Sequence, residues 1–266
     1  KKFLLKKIIP VLFVILWKIE IDDSLKGSKK NHSFVIVVTV IPMSKVLSNY
    51  NKLVNELNEI EKNFLSSKKK INLIAVSKTF SDSHILPILK LGHKFFGENK
   101  VQEAIKKWKP LKQKYPNVEL HLIGPLQSNK VHQALDIFDC IQTLDREKIV
   151  KKIRDYILKE TKLRKNYKFM IQVNIGNELQ KSGVPREITE SFVDWCRNDI
   201  GLDINGLMCI PPISENPIEY FKLLSELAKK CNLQNLSMGM SSDFREAIES
   251  GSNYIRVGSG IFGPRK

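Results

Sequence analysis

Lys78 follows the apolar run Leu73-Ile74-Ala75-Val76 and Ser77. A strand ending there with unbroken alternation would project the Lys78 amine into a pocket. Partial desolvation lowers an amine's pKa and makes it nucleophilic toward carbonyls. Most of the 36 lysines must be solvated surface residues, so position, not residue type, singles out Lys78. Two other segments are suited to phosphate. Met238-Gly239-Met240-Ser241-Ser242 offers a hydroxyl from Ser241 or Ser242 ahead of an expected helix, whose first amides lack partners. Gly258-Ser259-Gly260 lets backbone N–H groups approach an anion closely. Plain turn chemistry would account for either loop alone; the two together suggest an anion site.

An amine opposite a phosphate cradle suggests pyridoxal 5′-phosphate (PLP), whose aldehyde bonds a lysine and whose phosphate needs a cradle. Arg256 stands two residues before Gly258 and shares its strand face. It could reach the pyridine nitrogen, and because Arg keeps its proton it would leave that nitrogen unprotonated. A salt bridge at a barrel rim is the alternative role for Arg256.

These groups need elements to hold them. Residues 44–66 carry apolar side chains at helical spacing. Beyond them the pattern alternates strand and helix. Strands are predicted at 72–76, His93–Phe96, Glu119–Ile123, Ile137–Ile141, Phe169–Val173, Ile204–Met208, Leu236–Met238 and Tyr254–Val257. Helices are predicted from 81 or 82 through 91, then near 99–114, 127–135, 145–160, 185–198, 216–231 and 242–249. Eight such units in roughly 200 residues predict an α/β fold, a closed (β/α)8 TIM barrel with an extra N-terminal helix. A doubly wound open sheet is the runner-up, disfavoured because no G-x-G-x-x-G turn follows the first strand. In a barrel, functional groups gather at the carboxyl ends of the strands. Ser77-Lys78-Thr79, Gly97-Glu98-Asn99, Gly124-Pro125, Asn174, Gly239-Met240-Ser241 and Gly258-Ser259 all fall there.

Composition narrows the partners. The net charge is +16, but only eight of the 44 basic residues are Arg, and the lysines are spread along the chain. Base and phosphate readers lean on Arg forks, so nucleic-acid binding is disfavoured. Cys140, Cys196, Cys209 and Cys231 form no C-x-x-C pair and have no His at zinc-finger spacing. They read as reduced core thiols of a cytoplasmic protein, and no metal is expected. Residues 1–42 carry a net +5 and two apolar runs, Ile8–Trp17 and Phe34–Ile41. The first is too short to span a bilayer and lacks a small-x-small cleavage site. A leader, an extension and a misassigned start are the three readings. An extension or a misassigned start is favoured, with Met43 opening the PLP-binding domain, 43–266.

The segments Ala75–Thr79, Phe96–Glu103, His121–Lys130, Lys181-Ser182-Gly183, Gly206–Pro212, Leu236–Ser252 and Ile255–Gly263 occur in one order. In that order they resemble the YggS/PROSC family of PLP homeostasis proteins, from about Met43 onward. The resemblance implies the fold-type III PLP barrel, like the N-terminal domain of alanine racemase. It implies that Lys78 is the Schiff-base lysine, that Asn99 lies at the cofactor rim, that Ser241, Gly258 and Ser259 contact phosphate, and that Arg256 meets the pyridine nitrogen. Many members carry Thr at the position of Ser259, and either hydroxyl can donate. The resemblance says nothing for residues 1–42.

Racemases built on this barrel add a second domain and a second base. The chain runs only to Lys266, shortly after the last motif, and no Tyr falls at a predicted carboxyl end. A PLP site without a second positioned base racemises poorly. The expected function is therefore intracellular PLP homeostasis: a monomeric carrier or regulator that serves PLP-accepting apoenzymes and has little turnover. A PLP-dependent racemase-like enzyme is the alternative.

Overall fold

The computed structural model describes residues 12–20 and 34–42 as backbone, and 44–64, 70–159, 166–213 and 215–264. Met43 and residues 65 and 66, which the sequence reading placed at the domain start and at the end of the first helix, lie outside the described residues, as do residues 8–11 of the first apolar run.

The remainder of that run and the second apolar run form β1 (Leu12–Glu20) and β2 (Phe34–Pro42), which pair antiparallel with each other. Neither takes a place in the larger sheet. Helix α1 (Lys45–Phe64) follows. The alternation then runs β3 (Asn72–Val76), α2 (Asp82–Lys90), β4 (Phe95–Glu98), α3 (Val101–Lys114), β5 (Glu119–Leu122) and α4 (Val131–Ile137). It continues with β6 (Cys140–Leu144), α5 (Glu147–Lys159), β7 (Lys168–Asn174), a short β8 (Val184–Pro185), α6 (Thr189–Asp194) and β9 (Gly206–Cys209). It ends with α7 (Pro217–Lys230), β10 (Asn235–Ser237), α8 (Phe244–Glu249), β11 (Tyr254–Val257) and α9 (Ser259–Phe262).

Eight of these strands are parallel neighbours in the order β3-β4-β5-β6-β7-β9-β10-β11. Pairing of β11 with β3 closes the sheet into a barrel and excludes the open alternative. Closure sets the first strand against the last, with Arg256 beside Ile74 and Val257 beside Ala75. That register positions the site.

Strand alternation sorts the core. Leu73, Ala75, Phe96, Leu120, Leu122, Ile171 and Ile255 join the large cluster under the helices, with Trp108, Phe138 and Phe221 fully buried. The opposite strand faces put Ile74, Val76, Met170 and Tyr254 together inside the barrel, with Phe95 and Ile123 packed on them. Large apolar side chains on both faces are what a sheet covered by helices requires. The four cysteines are buried free thiols.

Three strands are displaced from their expected ranges. The sequence run Ile137–Ile141 reads as one strand, but Ile137 ends α4, and the Phe138 N–H donates to the Ala134 carbonyl. Pairing begins only at Cys140, because an apolar run that crosses from helix to strand has no internal period to mark the boundary. The strand expected at His93–Phe96 runs Phe95–Glu98, since the His93 N–H still caps α2 through the Ile88 carbonyl. The strand expected at Ile204–Met208 begins at Gly206, after the Asn205 side-chain carbonyl accepts the Phe169 N–H at 2.8 Å. The helix expected from 242 begins at Phe244, behind a turn in which Asp243 Oδ1 accepts the Met240 N–H.

Candidate functional site

Lys78 lies just past the carboxyl end of β3 and is half-buried. Along β3, Ile74 and Val76 face the barrel interior, and Lys78 stands two residues on, in the turn that follows the strand. The residues on either side of it are anchored outside the barrel. The buried Ser77 hydroxyl donates to Glu98 Oε1 at 2.7 Å. Beyond Lys78, Thr79 takes a left-handed backbone, φ 69°, and its N–H donates to Glu103 Oε1 at 2.6 Å. A β-branched residue adopts that conformation only where the surroundings impose it. Glu98 also accepts from Trp108 Nε1 at 2.9 Å and from Lys107 Nζ at 3.0 Å. Burial nonetheless raises its pKa, against Lys107, Trp108 and Ser77. Glu98 therefore braces the wall behind Lys78 and does not face the mouth with Lys78 and Asn99.

The closing β11–β3 pair brings the second feature alongside. Gly258 sits beside Val76; a Cβ on it would lie 3.4 Å from both the Val76 Cβ and the Val76 carbonyl oxygen. Immediately after it, Ser259 Oγ lies 3.2 Å from Ser241 Oγ, and the Gly260 N–H points at Ser241 Oγ at 3.3 Å. Ser241 can be there because Gly239 turns the chain with φ 90°, where a Cβ would come 2.5 Å from the Ala247 Cβ. The loops after β10 and β11 thus gather two hydroxyls and an amide next to the strand end that carries Lys78. Of the two serines left open by sequence, Ser241 makes these contacts.

Arg256 lies lower in the same mouth and is buried. Its Nη1 donates to Ser237 Oγ at 2.7 Å and its Nη2 to the Cys209 carbonyl at 2.9 Å. It makes no rim salt bridge within 4 Å among the described residues. Burial lowers its pKa, yet a guanidinium remains cationic. Five N–H donors and two bonds leave donors for an acceptor above. The neighbouring Cys209 thiol is pushed up to about 12 by burial, which removes it as a nucleophile.

Asn99 follows directly on the carboxyl end of β4 and is half-buried. Its Oδ1 is buried with no protein partner. Its backbone packs against Gly124, where a Cβ would fall 2.4 Å from the Asn99 carbonyl oxygen. Asn174, also expected at the mouth, instead organises its own loop through Glu178. Among the described residues no group of three or more His, Cys, Asp or Glu side chains could hold a metal. No helix there is long and apolar enough to cross a membrane.

Lys78, Asn99, Ser241, Arg256, Gly258 and Ser259 therefore share one end of the barrel. Sequence reasoning missed Ser237, Gln142 and His121, whose side chains are buried beneath them. The available signal was a polar residue at an inward position of an otherwise apolar strand, as in His121-Leu122-Ile123 and Cys140-Ile141-Gln142.

Comparison with known proteins places this geometry. The alanine racemase N-terminal domain family matches residues 55–266. A protein of Vibrio alginolyticus named pyridoxal phosphate homeostasis protein is 35% identical over 233 residues, 84% of this chain and 99% of the relative. Its namesake in Haemophilus influenzae is 36% identical over 205 residues, 73% of this chain and 85% of the relative. The solved structure of PipY of Synechococcus elongatus with PLP bound superposes with TM-score 0.68 at 28% identity, covering 82% of this chain and 100% of that one. Alanine racemase of Acinetobacter baumannii shares the fold, with TM-score 0.62 at 13% identity, over 82% of this chain and 61% of that one.

Proposed function

Since the chain belongs to the alanine racemase N-terminal domain family, we propose that it binds PLP at this mouth, holds it on Lys78 and serves PLP homeostasis. The observation that carries the reading is the junction of Lys78 with the Ser241–Ser259–Gly260 cradle across the closing β3–β11 pair. The residues fit the group. The cradle supplies two hydroxyls and an amide for a phosphate dianion. Gly258 leaves the space a side chain would take. Asn99 Oδ1 is a buried acceptor still lacking a donor, and Arg256 has N–H groups to offer a ring nitrogen.

When bound, PLP supplies an aldehyde that condenses with an amine and releases one water. The protein's residues do the rest. Ser241, Ser259 and the Gly260 N–H bind phosphate, and the anchored Ser77 and Thr79 fix the base of the Lys78 side chain. Arg256 would hold the ring nitrogen by donating to it and would leave it unprotonated, which would limit the electron-sink character that turnover needs. The role is carriage and delivery to PLP-accepting apoenzymes, by a monomer in the cytoplasm. The spread of the lysine surplus supports a partner other than nucleic acid.

The test is borohydride reduction of the PLP-incubated protein, followed by peptide mass spectrometry. The pyridoxyl mass is expected on Lys78 and absent from Lys78→Ala. An adduct located mainly on another lysine would overturn the site.

A further inference from the structure

Beneath Arg256 a chain of polar side chains crosses the barrel interior. Arg256 Nη1 donates to Ser237 Oγ at 2.7 Å, and Ser237 Oγ donates to Gln142 Oε1 at 2.7 Å. Gln142 Nε2 stands 3.0 Å from His121 Nδ1. His121 Nε2 lies 3.1 Å from Glu119 Oε1, as an ion-pair contact without a well-aligned hydrogen bond. Both Glu119 oxygens accept from Lys168 Nζ at 2.9 Å. Ser237, Gln142 and His121 are wholly buried. The link from β10 to β6 joins strands that are not neighbours in the sheet, so it passes through the lumen.

Chemistry settles the direction of the first link. A guanidinium only donates, so the Ser237 oxygen must accept from it. In the structure the serine proton is directed at Gln142 Oε1, which turns the Gln142 amide nitrogen toward His121. With that amide orientation His121 Nδ1 is the acceptor, and Nε2 lies beside the Glu119 carboxylate without a hydrogen bond to it. Glu119 is held well down, at about 2; burial opposes this, but His121 and Lys168 outweigh it. Donation thus runs from the Arg256 cation through Ser237 and Gln142 to His121, with the Glu119 carboxylate beside the far ring nitrogen. Hydrogen-bonded chains of this kind polarise their members.

Packing alone does not require such a chain. Buried polar groups are often replaced by apolar ones without loss of stability. What apolar groups could not do is fix the rotation of the Arg256 guanidinium. Two of its N–H bonds are committed, one to Ser237 and one to the Cys209 carbonyl. We propose that Gln142 and His121, acting through Ser237, are positioning residues that aim Arg256 at the cofactor's ring nitrogen. This rests on the reading of the mouth as a PLP site.

The test compares binding of PLP and 1-deaza-PLP, in which a C–H replaces the ring nitrogen, by the full-length protein and by Gln142→Met. Ser237→Ala serves as a second variant should Gln142→Met not fold, and thermal midpoints are recorded for each. One net hydrogen bond corresponds to a factor of about three to ten in affinity. The wild type is expected to prefer PLP over the deaza analogue by about tenfold. Each variant is expected to lose most of that preference and to change deaza affinity by less than about twofold. Equal losses for both ligands would mean general packing, and an unchanged preference would mean no influence on Arg256; either overturns the proposal. A wild type that binds both ligands alike and still carries the adduct on Lys78 overturns the aiming role while the PLP reading stands. A wild type that binds neither overturns both.

Discussion

Lys107 Nζ donates to the carbonyl oxygen of Ser77 at 2.8 Å, so a buried ammonium on α3 holds the residue immediately before Lys78. The same nitrogen reaches Glu98 Oε1 and Glu103 Oε1, each at 3.0 Å. Its three protons match three acceptors. One of these acceptors also takes the Thr79 N–H, so Lys107 is tied to the chain on both sides of Lys78.

Removing that ammonium leaves two carboxylates and a carbonyl without their shared donor. Breaking a buried pair from one side costs about 3–5 kcal/mol. Lys107→Met is therefore expected to lower unfolding stability by about 3 kcal/mol, measured by urea denaturation. A loss under about 1 kcal/mol would show that the anchor is dispensable.

The cradle gives a second expectation. Ser241→Ala with Ser259→Ala should weaken PLP far more than pyridoxal, which has the same ring and aldehyde but no phosphate. Each charge-assisted bond contributes roughly 1.5–3 kcal/mol. Isothermal titration of both ligands makes the comparison, and equal weakening would place the phosphate elsewhere.

Stability should depend on pH through His93. Its Nδ1 meets the Tyr50 hydroxyl at 3.0 Å and its Nε2 the Phe95 carbonyl at 2.9 Å. Burial pulls the imidazole down to about 4 from its usual 6.5. The unfolded chain therefore binds more protons than the folded one between those values, and stability falls as pH drops from 6.5 towards 4. Glu119, held at about 2 instead of 4.5, adds a second loss of the same sign below pH 4.5. One group contributes at most about 1.4 kcal/mol per pH unit. His93→Gln should flatten the melting-temperature profile between pH 6.5 and 5. A profile as steep as that of the wild type would assign the dependence to other groups.

Residues 1–42 should be dispensable to the barrel. β1 and β2 pair with each other, and the eight positions of the closed barrel are filled by later strands. A protein beginning at Met43 is expected to keep its melting temperature and PLP affinity. A fall beyond about 4 °C, roughly 1 kcal/mol for a domain of this size, would show that the leader packs on the domain.

The sequence by itself determined the alternating architecture. Short continuous apolar runs between helical periods are a local signal, and the strand at 72–76 and the helix after it fall where that signal puts them. It also singled out Lys78, Arg256, Gly258 and Ser259, and narrowed the other hydroxyl to Ser241 or Ser242, because a lysine, glycines and serines at strand ends follow from the order of residues along the chain. Closure was not a local property. Only the β11–β3 pairing sets Gly258 against Val76 and so joins the cradle to Lys78. Glu98 shares the outward phase of Phe96, and the tertiary structure decided which partners it meets there, Lys107 and Trp108. It alone linked Ser237 to Gln142, 95 residues apart, because two inward side chains meet across a lumen only when the barrel's closure fixes which strands face each other.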